Sequence, residues 1–464
     1  MPPKAAYKLI ARRAIHNPRP VGSSNLRTLR PERPVNLKNL PLNPSRRAAP
    51  MAIPTFSAPQ GVSTKGGLFL SYNKNIITLV ASMFLVASGY TMVIPFLPLY
   101  LGEMGVPDNE ISLWTGLVFS SCFLVAGIMG PIWGKLADLG GKKKMAVRAA
   151  VLLGFSYLFC GLCQNQYHLM AARAFQGFAN GFVAASMAII SDSAESDKLG
   201  GTLGMAQTSL VVGGILGPLM GGALSHAFGM RNTFFLSALF LWIVAAAVIL
   251  FVKEKKSTVI HKKMEKTSIS QDLSYAARTP SLRELLLLTF FLQTTLLMIQ
   301  PVTSLYVGEL MHHEGNIELT AGFIMSSGGF AGALTTTLWG KFGQERGYYY
   351  AMALTLFSAG VFTILQSIPD SIWGFGICQF LVGCFVIGAN PSINAALVEH
   401  TPSDFRGRIF GLSNTAQQFG NMCGPLLSSV ISMAFGIWEV YLAAGLIQLL
   451  LGVKVCMTHR KGTP

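Results

Sequence analysis

Between Ile76 and Met457 the chain alternates apolar runs of roughly 20 residues with short polar interruptions, and a helix of that length crosses a hydrocarbon core about 30 Å thick. The runs predict helices near 76–101, 111–135, 145–163, 168–191, 203–228 and 232–252, then 283–307, 320–341, 348–368, 372–397, 408–433 and 437–457. Residues 253–282, KEKKSTVIHKKMEKTSISQD at their core, are polar and basic enough to form a linker with a surface helix. The pattern therefore predicts an all-α membrane protein, with a tail over 1–75, a six-helix bundle over 76–252, the linker, a second bundle over 283–457 and a short tail over 458–464.

The two bundles are copies of one unit. PFLPLYLGEM at Pro95 to Met104 returns as PVTSLYVGEL at Pro301 to Leu310, and WGK at Trp133 returns at Trp339, 206 residues later in each case. Gly177 matches Gly383, and one residue out of phase Gly213, Gly217 and Pro218 match Gly420, Gly424 and Pro425. At about 34 residues for a span and its loop the period holds six spans, so twelve are expected. A parallel repeat in so apolar a chain points to transporters whose halves rock about a shared midplane site.

Composition agrees, with 51% hydrophobic residues, 12% charged residues and a mean hydropathy of +0.48. The net charge of +16 is mostly a property of the tail: residues 1–75 hold thirteen Lys or Arg against Glu32 alone, which is +12 and leaves +4 for the rest. No nucleic-acid partner is therefore expected. Nine prolines in the first fifty residues oppose a continuous helix there. The tail is compatible with disorder, with a start at Met51, and by its Arg-rich, acid-poor composition with a transit peptide. Cytoplasmic loops retain Lys and Arg. Lys142, Lys143, Lys144 and Arg148 after the second span, and eight Lys or Arg from Lys253 to Arg283, place both termini in the cytoplasm.

Seven cysteines sit in or beside apolar spans, and the odd count opposes a disulfide framework. Cys160 and Cys163 form a CxxC without a matching pair, which favours helix packing over metal binding. No GxxxxGK[ST] occurs to cradle a nucleotide. No catalytic constellation, metal site or resident cofactor is expected, and no enzyme activity.

Three motifs carry the functional argument. GKLADLGGKKK, Gly134 to Lys144, combines glycines that permit a tight helix-loop-helix reversal, an anion at Asp138 and a basic cluster. LMAARAFQGFANG, Leu169 to Gly181, places Arg173 within a span, where a guanidinium is retained facing a cavity or a carboxylate, or snorkels to the interface. GGILGPLMGG, Gly213 to Gly222, spaces small residues for close helix approach, with a Gly-Pro pair that breaks the hydrogen-bond ladder.

These segments resemble motifs of the major facilitator superfamily. The first is similar to the loop motif GxxxDRxGRK, with Leu139 where the family has Arg; the second to RxxQG, as Arg173, Gln176 and Gly177; the third to the antiporter motif GxxxGPxxGG. Together with RGRIFGLSNTAQQFGNMCGP, Arg406 to Pro425, they resemble bacterial multidrug efflux proteins of the twelve-helix drug:proton antiporter family over residues 76–457.

The resemblance implies the major facilitator fold, a monomer in the bacterial inner membrane, and export of small amphipathic compounds such as antibiotics in exchange for protons by alternating access. It implies a cytoplasmic latch at Gly134, Asp138, Gly141, Lys142 and Lys143, with Asp192 and Arg408 as partners, and an antiporter motif at Gly213, Gly217, Pro218, Gly221 and Gly222. Arg173 is linked to proton movement, but coupling needs a titrating group, and the first span lacks the acid found in several relatives. Glu103 and Glu309, at the outer ends of helices one and seven, are the coupling candidates, with Glu103 expected to approach Arg173 or simply to end its helix at the interface. A cavity lined by helices one, four, seven and ten is expected to use Tyr90, Gln176, Asn180, Met187, Gln293, Gln300, Tyr306, Asn390 and Asn394. A dedicated exporter of one metabolite or siderophore fits the same motifs. An uptake symporter fits them less well, and a non-transporting sensor or scaffold is an alternative of another class.

Overall fold

The computed structural model describes residues 74–195, 198–254, 269–402 and 405–462, all within one compact unit, Gly67–Pro464. The expected tail and most of the linker lie outside the described residues. The side chains at 135, 138–140, 406–407 and 459–462 also lie outside the description.

The first bundle is built from α1 (Lys74–Glu103), α2 (Asp108–Gly140), α3 (Lys142–Leu162), α4 (Gln166–Ser193), α5 (Leu199–Phe228) and α6 (Met230–Phe251). The second follows a linker helix, Ile269–Arg278, with α7 (Pro280–Leu310), α8 (Ile317–Arg346), α9 (Tyr348–Leu365), α10 (Ile372–Glu399), α11 (Arg406–Ala434) and α12 (Trp438–Gly462). Eleven of the twelve are long and apolar enough to cross a membrane. The exception is α11, which has 29 residues but carries Asn414, Gln417, Gln418 and Asn421 along its length. The last helix runs through Gly462, where the sequence pattern placed a tail.

Packing repeats with the sequence. In the first half α1 packs on α5, α2 on α4 and α3 on α6; in the second α7 packs on α11, α8 on α10 and α9 on α12. The halves meet along two seams, α2 against α11 and α5 against α8. Gly213 seats against the Phe84 carbonyl, Gly217 against Thr91 and Gly221 against the Met92 carbonyl, which brings α5 onto α1 backbone to backbone. Gly420 and Gly424 do the same for α11, against the Phe290 and Thr294 carbonyls of α7. Small residues are the way membrane helices gain dispersion contact, because lipid tails are as apolar as leucine.

Four helices are broken. Ile94–Phe96 forms a 3₁₀ turn in α1, and the corresponding break in α7 falls at Gln300–Val302, 206 residues on. In α4 the break is at Asn180–Gly181 and in α10 at Ile387–Gly388, 207 residues apart. Pro95 and Pro301 remove amide donors at the first pair. Gly181 adopts φ 119°, a left-handed conformation that costs any residue with a Cβ.

A Cβ added at Gly221 would overlap the Met92 carbonyl, whereas at Gly200 it would meet nothing within 4 Å. Gly221→Ala is therefore expected to destabilise the purified protein by about 1–3 kcal/mol and Gly200→Ala to leave it unchanged within about 1 kcal/mol. Thermal unfolding of the detergent-solubilised chain measures both.

Candidate functional site

A cavity of about 390 Å³ lies between the two halves, bordered by three of the four broken helices, α1, α4 and α7. Tyr90, Thr91 and Ile94 of α1, Cys122 and Phe123 of α2, Tyr157 of α3, and Gln176, Asn180 and Phe182 of α4 form most of its wall. Gln293 and Gln300 of α7 and Gln418 and Asn421 of α11 close it from the second half. The wall thus holds Tyr90, Gln176, Asn180, Gln293 and Gln300 among the residues singled out in the sequence. Met187 packs against the core, and Tyr306 is buried between Phe375 and Tyr441. Asn390 and Asn394 are half-buried on α10, a helix that contributes nothing to this wall.

Sequence reasoning missed Tyr157, Gln418 and Asn421. The signal for the last two was present, since two amides stand one and two turns before Pro425 in α11. Pro425 has no amide to bond the carbonyl four residues earlier, which is that of Asn421, and Pro218 likewise releases Gly214. Both released carbonyls belong to wall residues.

Behind the wall stands Arg173, 1% exposed. Its Nη1 donates to Gln176 Oε1 at 2.5 Å, Gln176 Nε2 donates to the Tyr157 hydroxyl at 3.1 Å, and Tyr157 donates to the Gly89 carbonyl at 2.9 Å. This relay ties α4 through α3 to α1. The guanidinium also lies 5.4 Å from the Phe119 ring centroid. Glu103 is exposed at the far end of α1, where its charged neighbours are Arg231 and Glu318 rather than Arg173. Glu309 occupies the matching end of α7, near His313 and Glu439.

The break in α4 is braced on one side. Trp133 Nε1 donates to the Phe178 carbonyl at 2.8 Å, and Arg148 Nη2 donates to the Asn180 carbonyl at 2.8 Å while stacking 3.6 Å from the Trp133 ring centroid. In the second half Trp339 Nε1 donates to the Cys384 carbonyl at 2.7 Å. The repeated WGK thus has a function at each break: its indole holds a carbonyl of the last turn before the helix ends.

The seams are closed at the end away from the chain termini. Ser120 donates to the Met422 carbonyl at 2.6 Å and Ser326 to Ile215 at 2.6 Å, Ser429 donates to the Ser112 carbonyl, and beside the seams Ser304 of α7 donates to Pro95 of α1 at 2.5 Å. Gly222 and Gly322 meet backbone of the opposite half. Toward the terminal end the same faces carry Gly134 on α2, Gly204 on α5, Gly340 on α8 and Gly411 on α11, and none has a neighbour within 4 Å of its Cβ position.

At that terminal end Lys142 pairs with Asp192 at 2.5 Å, within one half. Lys143 Nζ donates to the Ile249 carbonyl at 2.9 Å, and Glu254 accepts the Lys142 amide at 2.8 Å where α3 starts after Gly141. Arg408 pairs with Asp272 of the linker helix at 2.9 Å. Gly134 stands open, and the Asp138 side chain lies outside the description.

A profile for the Major Facilitator Superfamily matches residues 79–365 and 315–463. The chain belongs to this superfamily. Multidrug resistance protein MdtG of Escherichia fergusonii is 33% identical over 386 residues, covering 82% of this chain and 93% of that protein. MdtG of Enterobacter lignolyticus is 30% identical over 394 residues, or 84% and 94% of the two chains. Among solved structures, a bacterial homolog of the human lysosomal transporter Spinster, inward-facing and occupied, matches with TM-score 0.71 at 14% identity over 83% of this chain and 96% of that one. A mutant of the nucleoside transporter NupG matches with TM-score 0.70 at 13% identity over 82% and 99%. These two likenesses concern the fold alone. The major facilitator chain described here is a multi-pass membrane transporter and not an enzyme.

Tyr157→Phe removes a hydroxyl that serves both Gln176 and the Gly89 carbonyl. Leaving buried polar groups unpaired costs about 1–3 kcal/mol. The variant is expected to unfold at a lower temperature, and Tyr167→Phe, at a residue 60% exposed, is expected to leave the transition in place.

Proposed function

We propose that this protein exports small amphipathic, drug-like compounds in exchange for protons, acting as a monomer in the bacterial cytoplasmic membrane with both termini in the cytoplasm. The observation that carries the proposal is one cavity between two pseudo-symmetric halves whose seams are closed at one end only. Such a geometry supports alternating access, in which the halves rock about the cavity and the row of open glycines closes as the serine contacts part. The identity to proteins named for multidrug resistance supports the substrate class. A wall that combines neutral amides with aromatic and aliphatic side chains suits ligands of varied shape.

The basic residues at Lys142, Lys143 and Lys144 support the orientation. The proton gradient supplies the energy, and no resident cofactor enters the proposal. Among the residues of the cavity wall there is no carboxylate, so the proton is assigned to Glu103 and Glu309, which sit on the same two helices one segment beyond the cavity.

The test is flux of several unrelated amphipathic compounds by the reconstituted chain. Imposing a proton gradient is expected to accelerate flux at least tenfold, and collapsing it to remove the acceleration. Glu103→Gln combined with Glu309→Gln is expected to abolish the acceleration and preserve downhill flux. Absence of flux for every compound overturns the export proposal, and an unaltered double variant moves the coupling elsewhere.

A further inference from the structure

Among the described residues Arg173 is the one charged side chain in the fully buried set. A guanidinium held away from water is retained when a carboxylate compensates it or when its N–H groups are all used. Neither condition holds. Nη1 bonds Gln176, while Nε and Nη2 have no partner. Its ionisable neighbours are Tyr90, Cys122, Tyr157 and Cys160, none of them an acid of the carboxylate type.

Three of those neighbours, with Gln176, belong to the cavity wall. The charge therefore sits one side chain behind the cavity, and Gln176 is what separates them. The second segment of α4 begins at Phe182, also in the wall, so its first unbonded amides and the positive end of its dipole lie at the cavity. The opposing negative end, the last turn of the first segment, is already occupied by Trp133 and Arg148. The carbonyls released at Gly214 and Asn421 are neutral acceptors and do not offset a full charge.

We propose that the cavity takes amphipathic monoanions, whose acidic group docks on the α4 wall between Gln176 and Phe182 with Arg173 as its counter-charge, while the apolar body lies against Phe123, Leu210 and Leu297. Turning the Gln176 amide aside presents Nη1 and Nη2 together, the planar fork that matches the two oxygens of an acid. The inference rests on the export proposal only in taking this cavity as the transport site.

Equilibrium binding to the full-length chain in lipid nanodiscs tests it, with three probes on one ring: 1-naphthoate, 1-naphthamide and 1-naphthylmethylammonium. Naphthoate is expected to bind at least tenfold more tightly than the other two. Arg173→Gln, which copies the Gln379 of the second half, is expected to bring naphthoate within twofold of naphthamide, and Arg173→Lys to retain the preference for naphthoate. Equal binding of the three probes by the unaltered chain overturns the proposal, as does a naphthoate preference that survives Arg173→Gln. The ranking by the unaltered chain decides even where a variant fails to fold. Flux of the same probes is measured separately: the ranking without flux overturns export and leaves the anion site standing, and flux without the ranking does the reverse.

Discussion

Inside a bilayer a backbone N–H or C=O without a partner costs several kcal/mol, because no water replaces the missing bond. The rest of this structure follows from how that constraint is met. Eight of the twelve helices keep their ladders through the membrane or lose one bond to a proline, and four are broken outright. Each break in the first half borders the cavity, with Ile94 in one and Asn180 in the other. There the orphaned groups are either held by a distant side chain, as Trp133 and Arg148 hold Phe178 and Asn180, or offered to a ligand. Irregular backbone is tolerated where it lines a cavity, and the cavity exists because the backbone is irregular there.

The scaffold is twofold while its electrostatics are not. Where the first half places Arg173, Gln176 and Tyr157, the second places neutral groups: Gln366 Nε2 donates to Gln379 Oε1 at 2.6 Å, and Gln448 joins Thr363 to Thr295 at 3.1 and 3.2 Å. A buried network of amides and hydroxyls rigidifies its bundle without the desolvation cost of an ion. The first half therefore holds the buried charge and most of the wall, and the second half answers it with neutral amides and hydroxyls.

Much of this was legible in the residues. The internal repeat predicted both the six-plus-six architecture and, one residue out of phase with its 206-residue period, the equivalence of Gly217 with Gly424. The wall was harder. Gln176 and Gln300 stand out in apolar runs, but Tyr157 is an aromatic in an apolar helix, indistinguishable in sequence from Tyr100, whose hydroxyl goes to the Cys160 carbonyl away from the wall. The amides of α10 were just as conspicuous as those of α7, yet α10 contributes nothing to the wall. Helix rotation is set by which small residues meet across a crossing, and no single-chain pattern reports it. Charge pairing was the least legible: Arg408 reaches the linker helix, whose Asp272 carries no local signature.

The serine contacts across the seams have one further consequence. Each acceptor is a main-chain carbonyl, and three of the four, those of Met422, Ser112 and Ile215, lie inside regular helices whose own ladder already supplies them a donor. A serine hydroxyl in a helix can swing to the carbonyl one turn back, as Ser429 already does to that of Pro425 at 2.9 Å. Parting these three contacts therefore strands no polar group in hydrocarbon, whereas the fourth acceptor, the Pro95 carbonyl, lies in the 3₁₀ turn of α1. At those three contacts the grip between the bundles resembles a magnet with a keeper: when the contact is pulled away, each donor closes on its own helix, and separation is opposed by lost packing alone.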